Sequence, residues 1–337
     1  MTREETECAT SSNLVRSQCA LQRYLWFDLP CVRLSSRIRS WPWCTAVNMA
    51  ITNFQGEVHY LISKHAQIVG RLLSAYHLLC DISENALWEP YLTPQAARSV
   101  DHGECWQAPV TVGAERGRVY DALYRNGEIL ALKFCNDATD QWYGTKPEHV
   151  YELWSSTDDG CSFQYKSVLP FDTQGKGYGT MEHLPNGALI VYLYDIRDES
   201  NAEYVVSCDN GATWSIPAWA RFAKKLRNPQ LVSYGDGFLM HGRSGNEGDE
   251  AGHLVLYYSP DGYHWDEGRY LCLRTAGLGA YSNSIVTGTH APNRSARLYL
   301  HSSHAYDKNK TNVAAWWIDR RTEKEGTESS YSKFSKD

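Results

Sequence analysis

The stretch VVSCDNGATWSIP, residues 205–217, reads as a tight turn between two strands. Val205 and Val206 favour extended backbone, Asp209-Asn210-Gly211 supplies turn chemistry with a position of positive φ, and Trp214 re-enters apolar surroundings. The pattern recurs. SVDHGECW runs from Ser99 to Trp106, STDDGCSF from Ser156 to Phe163, and SPDGYHW from Ser259 to Trp265 with one residue fewer before its glycine. The starts at 99, 156, 207 and 259 lie 57, 51 and 52 residues apart. Short strands and Gly-rich turns repeating at that period predict an all-β chain of propeller blades, each a four-stranded sheet that buries its faces only against its neighbours.

Composition agrees. A chain of 337 residues with 12 Trp, 22 Tyr and 25 Gly has the length for a large core, and its aromatic content suits a β protein with sugar-facing surfaces. The net charge of −6 argues against nucleic acid as a partner. No apolar run reaches the ~18 residues that a membrane span needs. The opening MTREETECAT is polar with no apolar stretch behind it, so no secretory signal is expected and the localisation stays open. The ten cysteines form no C-x-x-C pair, and no D-x-D-x-D-G loop is present, so neither a metal nor another cofactor is expected. Free thiols and a few disulfides both fit the cysteine pattern. The chain is read as a monomer.

The pattern divides the chain unevenly. Residues 1–50 carry Cys8, Cys19, Cys31 and Cys44 with several arginines and no blade pattern, and read as an extension or an altered first blade. Residues 51–320 form the propeller, with blades expected at 51–115, 116–167, 168–220, 221–270 and 271–320; five are countable, and a sixth would come from the N-terminal region. The charged tail at 321–337 is expected to be disordered.

Aligning the blades on their first hairpins locates a site. Three hairpins are expected to turn at Asn126-Gly127, Asn186-Gly187 and Asp236-Gly237. Because the second strand of each blade runs antiparallel to the first, the start of one and the end of the other open on the same face. That face collects Arg118, Tyr120 and Asp121; Lys133 and Asp137; Tyr178 and Glu182; Asp195, Arg197 and Asp198; Arg227 and Asn228; His241 and Arg243; and Tyr281, Asn283, His304 and Tyr306. Arginines, carboxylates and tyrosines converging on one surface describe a site for a polar, anionic ligand such as an acidic sugar. Arg118, Arg227, Arg243, Arg197, Tyr178 and His304 are the candidate substrate binders. The opposite ends, which hold the Asp-Gly turns, read as scaffold.

The S-x-D-x-G-x-x-W turns resemble the Asp box of the sialidase (neuraminidase) superfamily, and the resemblance covers residues 95–320. It implies a six-bladed sialidase-like β-propeller and an exo-acting glycoside hydrolase that releases a terminal acidic sugar from glycans. In that family an arginine triad grips the substrate carboxylate, an aspartate serves as acid/base and a tyrosine activated by a glutamate is the nucleophile. A carboxylated anomeric carbon repels a carboxylate nucleophile, which explains the neutral phenol. AYSNSIV resembles the strand that bears the tyrosine, which makes Tyr281 the nucleophile candidate. RNPQLV places Arg227 as a triad arginine, and Arg243 ends the paired strand. GYGTMEHLPNGALIV resembles the glutamate hairpin, with Tyr178 in the aligned place and Glu182 four residues later; Asp121, Asp195 and Asp198 compete for the acid/base role. No Arg-Ile-Pro strand is evident at the N-terminus, where Arg37 and Arg39 fit poorly. Two alternatives stay open: a related propeller enzyme acting on another glycan, either a different exo-glycosidase or a polysaccharide lyase, and an inactive glycan-binding propeller.

Overall fold

The computed structural model describes residues 93–99, 107–137, 143–245, 248–272, 282–287, 297–307 and 310–319, with the strand backbones between Met49 and Leu78. The segment expected as an extension, the turn at 100–106, the tail and Tyr281 lie outside the described residues, apart from the two positions of the extension that begin the first strand.

Among the described residues the chain forms five antiparallel sheets. The first holds β1 (Met49–Thr52), β2 (Val58–Leu61), β3 (Gln67–Ile68), β4 (Arg71–Leu78), β5 (Gln95–Ser99) and β6 (Val110–Thr111). Three four-stranded meanders follow: β7 (Gly117–Arg125), β8 (Glu128–Cys135), β9 (Tyr151–Ser156) and β10 (Gln164–Val168); β11 (Lys176–His183), β12 (Leu189–Asp195), β13 (Asn201–Ser207) and β14 (Ala218–Arg221); and β15 (Arg227–Tyr234), β16 (Gly237–Ser244), β17 (His253–Ser259) and β18 (Arg269–Cys272). The last sheet has β19 (Ser282–Thr287), β20 (Arg297–Asp307) and β21 (Lys310–Asp319). The first strands β7, β11, β15 and β19 pack side by side, and the sheets fan out from them.

The second strands are the most buried. Every residue of β12 and β16 is buried, because each is flanked in its own sheet and covered on both faces by neighbouring sheets. The core between the sheet of β7 and that of β11 contains Leu132, Leu153, Met181, Val191 and Leu193, and that between the sheets of β11 and β15 contains Ile190, Leu231, Phe238, Met240 and Val255. Each such side chain contributes about 1.5–3 kcal/mol by leaving water.

The first hairpin turns where expected, with Asn126 at φ 51° and Gly127 at φ 84°, the left-handed pair that a two-residue turn demands. The other two differ in detail. Leu184 and Ala188 close a longer turn through Pro185 and Asn186, and the third hairpin turns on Gly235-Asp236, since Gly235 takes the positive φ and Gly237 already pairs with Tyr234. Gly237 has a separate reason to lack a side chain: a Cβ there would lie 2.5 Å from the Ser259 carbonyl.

The Ser-Asp-Gly turns share one internal geometry. In the opening stretch Ser207 Oγ donates to Asp209 Oδ1 (2.7 Å) and accepts from Gly211 N (2.6 Å), while Asp209 accepts from Thr213 N and Thr213 Oγ1. Ser156, Asp158, Gly160 and Ser162 repeat it, and Ser259, Asp261, Gly262 and His264 form the shorter version. Two of the described turns also bond to the preceding sheet. Trp214 Nε1 donates to Ser167 Oγ of β10, Ser167 Oγ donates to the Gly211 carbonyl, and Tyr192 of β12 donates to the Gly262 carbonyl. The turns therefore rivet sheet to sheet at the end away from the candidate site.

Two outcomes follow for solution measurements. Gly211 sits at φ 87° with a Cβ position that collides with Leu153 Cδ2, so Gly211→Ala should cost at least ~2 kcal/mol in urea unfolding. Hydrogen bonds from Ser162 and Ser156 hold the Asp158 carboxyl at about 2, and those from Thr213 and Ser207 hold Asp209 low as well. A carboxyl depressed in the folded state stabilises fully above its unfolded value of about 4 and loses that contribution as pH falls toward 2. Stability of the wild type should therefore decline through this window, and Asp158→Asn should flatten the decline, measured as the denaturation midpoint against pH.

Candidate functional site

The same irregularity interrupts three first strands near their starts. Pairing slips between Val119 and Asp121 in β7, between Gly177 and Thr180 in β11, and between Arg227 and Gln230 in β15. The bulged positions hold Tyr120, Tyr178 and Asn228, and the last two adopt φ of 47° and 51°. Left-handed backbone at a non-glycine residue costs about 1–3 kcal/mol and persists only where the surroundings impose it. Gly242 makes room for the third bulge, because a Cβ on it would strike the Arg227 carbonyl.

The bulges gather an aromatic path flanked by cations. The Tyr120 and Tyr178 ring centroids are 4.8 Å apart and those of Tyr178 and Tyr194 are 6.2 Å apart. The Arg118 guanidinium lies 5.6 Å from the Tyr120 ring, and that of Arg227 lies 5.8 Å from the Tyr194 ring. Such stacking over an aromatic face is favourable for a cation that has left water. Arg227 Nε also pairs with Glu199 Oε1 at 3.2 Å, and one of its terminal nitrogens donates to the Tyr194 hydroxyl at 3.4 Å. Burial pushes the Tyr194 hydroxyl well above the ordinary phenol range. Arg243 is the register partner of Arg227 across β15 and β16, and both are buried, as is Arg118.

The remaining predicted residues fall into three groups. Asp195 ends β12 opposite Lys176 and is gripped by Arg197 through two side-chain hydrogen bonds of 3.1 Å; Arg197 itself is 62% exposed. Asp121 and Glu182 brace the scaffold. Asp121 is buried, and its carboxylate accepts from Ala122 N, Thr180 Oγ1 and Met181 N, which ties β7 to β11. Glu182 lies toward the turn end of β11, opposite Ile190, and accepts from His183 N and from Ser233 N of β15. Both carboxylates accept from amides, and Asp121 also from a hydroxyl, across the first strands. Asp198 braces its own loop through Ser200 and Asn201. His304 lies in β20, its backbone opposite Asn312, and Tyr281 falls outside the described residues.

Three further features belong to the same end of the sheets. Glu199 was not expected; it lies two residues beyond Arg197 in the acid-rich DIRDES loop, and only the fold brings it to Arg227. Asp137 accepts from His149 Nε2 at 2.8 Å, while His149 Nδ1 accepts from Thr145 N, which puts the ring proton on Nε2. His149 and Lys146 together hold the Asp137 carboxyl below its usual range. Lys176 pairs with Glu203 at 3.1 Å, and burial raises the Glu203 carboxyl despite that ammonium. Among the described residues no group of His, Cys, Asp and Glu has the arrangement of a metal site, and Cys135, Cys161, Cys208 and Cys272 are free thiols. No helix among these residues is long and apolar enough to cross a membrane.

The sequence matches no protein family and no curated protein. Solved structures do match. A protein of unknown function from Dyadobacter fermentans aligns with a TM-score of 0.60 at 15% identity, over 76% of this chain and 75% of that one. An exo-1,5-α-L-arabinanase from a bovine ruminal metagenomic library aligns with a TM-score of 0.50 at 10% identity, over 80% of this chain and 99% of that one. The NanB sialidase of Streptococcus pneumoniae aligns with a TM-score of 0.49 at 12% identity, and the alignment covers 85% of this chain and 66% of the sialidase. The first two, with the antiparallel four-stranded sheets, carry the conclusion that the chain has an all-β, propeller-like fold. The resemblance read from the turns therefore holds at the level of fold.

The bracing role assigned to Asp121 has a measurable consequence. Asp121→Ala strips the acceptor from three buried donors, Ala122 N, Thr180 Oγ1 and Met181 N, and should lower stability by about 2–4 kcal/mol in urea unfolding. A loss of activity in proportion to unfolding, with normal turnover in the fraction still folded, is the expected companion result.

Proposed function

We propose that the protein is an exo-acting glycoside hydrolase of the sialidase type that takes a terminal sugar acid at the end of the sheets holding Arg118, Arg227 and Arg243. The observation that supports this reading is the placement of the buried Arg118 and Arg227 guanidinium groups beside the rings of Tyr120 and Tyr194, with buried Arg243 as the register partner of Arg227. Planar guanidinium groups hold a carboxylate through paired hydrogen bonds that an ammonium cannot reproduce, and tyrosine faces suit the C–H face of a pyranose. A glycosidase-type propeller among the structural matches fits the same reading.

The roles follow from chemistry. Tyr281 supplies the nucleophile, since a phenol approaches a carboxylated anomeric carbon without charge repulsion. A phenol ionises at about 10, so it needs a base beside it, and proton transfer at the glycosidic oxygen needs an acid within hydrogen-bond reach. Asp195, at the end of β12, takes the acid/base role with Arg197 orienting it. Glu199 orients Arg227. A second reading, a propeller that binds acidic glycans without cleaving them, is favoured by one observation: Asp121 and Glu182 are committed to the scaffold.

Release of fluorophore from a 4-methylumbelliferyl α-sialoside, run beside uronic-acid and neutral glycosides, tests both. Turnover confined to acidic glycosides is expected, with Tyr281→Phe inactive and Arg227→Lys lowering kcat/KM at least ~10-fold. Binding of the acidic glycosides without turnover would select the second reading. Equal turnover of neutral and acidic glycosides would end the carboxylate-recognition account.

A further inference from the structure

Among the three bulged positions, Asn228 carries a polar group that packing does not use. The residue is only 7% exposed, yet its side-chain oxygen has no hydrogen-bond donor among the described residues. Buried amide oxygens are nearly always paired, so one left over in a native core calls for an explanation. Its backbone sharpens the question. Asn228 stands at φ 51° immediately before Pro229, a residue that already narrows the conformations of its predecessor. A glycine would satisfy a left-handed bulge at less cost, whereas asparagine keeps a donor and an acceptor there.

The neighbours say what kind of group is missing. Asn228 follows Arg227, whose register partner is Arg243, and the equivalent bulge in β11 places Tyr178 beside Tyr194, the ring on which Arg227 stacks. A ligand held by these guanidinium groups through a carboxylate brings the rest of its ring into the same neighbourhood. The group that completes a buried carbonyl oxygen is an O–H or N–H donor. We infer that Asn228 is a specificity-determining residue, which accepts a hydrogen bond from a hydroxyl or amide donor of the sugar acid whose carboxylate the arginines hold. This rests on the sugar-acid reading of the site and adds to it a second recognition point, one that selects among sugar acids by a neutral donor.

The asymmetry of buried hydrogen bonds sets the size of the effect. When the ligand lacks the donor, the asparagine oxygen stays unpaired, and the site discriminates by ~10- to 100-fold. Two variants separate this from folding: Asn228→Gly tolerates the positive φ and removes the acceptor, while Asn228→Asp tolerates it and keeps one.

The experiment is calorimetric titration of the wild type, both variants and Arg227→Lys with methyl α-sialoside, methyl β-glucuronide and the monodeoxy analogues of each, with thermal melts to verify folding. The expected result is that one analogue binds the wild type ~10- to 100-fold more weakly than its parent, and that Asn228→Gly binds parent and analogue alike. Asn228→Asp should retain the discrimination. If the wild type binds a sugar acid and Arg227→Lys weakens it, but Asn228→Gly keeps the parent affinity and every discrimination, the role of Asn228 is overturned and the arginine site stands. Absence of binding to any acid by the folded wild type overturns both.

Discussion

A single buried carboxylate sets the spacing of the first strands. Asp121 in β7 accepts from the hydroxyl and the following amide of Thr180 and Met181 in β11, and the Thr180 hydroxyl in turn accepts from Leu231 N in β15. Three sheets are thereby fixed to one another by polar bonds at the same level, just past the bulges. Low local dielectric strengthens each bond in such a chain, and makes the loss of any one of them costly. Apolar packing alone would allow neighbouring sheets to slide, since it is not directional. The relay, the Glu182 bond to Ser233 N and the Ser-Asp-Gly turns at the far end leave each sheet one position, and that position holds the arginines and tyrosines in place.

The architecture was legible because its signals are local. A Ser whose hydroxyl caps a glycine amide, an Asp that accepts from the residue four positions on, and a Trp that reaches the previous sheet need only a short stretch of chain, so they survive as a spaced pattern in the sequence. The hairpin at Asn126-Gly127 was legible for the same reason. The turn at Gly235-Asp236 shows the limit: two candidate glycines flank one aspartate, and Gly235 takes the positive φ while Gly237 lies against the Ser259 carbonyl of another strand.

The site was legible only in part, because its roles depend on partners distant in the chain. Strand position alone put Asp121, Asp195 and the arginines on one face, yet nothing local distinguishes a carboxylate that meets a ligand from one that meets the amide of Met181, sixty positions away. Glu199 was hidden for the converse reason, as one acid among several in a loop until Arg227 arrives beside it. Tyr178 and Asn228 stood in the predicted face, but their left-handed backbone could not be read from residue type, since tyrosine is among the least expected residues there.

Carboxylate recognition by Arg118, Arg227 and Arg243 is tested most directly by the affinity of the wild type for a methyl α-sialoside against that for its uncharged carboxamide. The acid should bind at least ~10-fold more tightly, and the preference should shrink with added salt. Equal affinities, or tighter binding of the carboxamide, would contradict it.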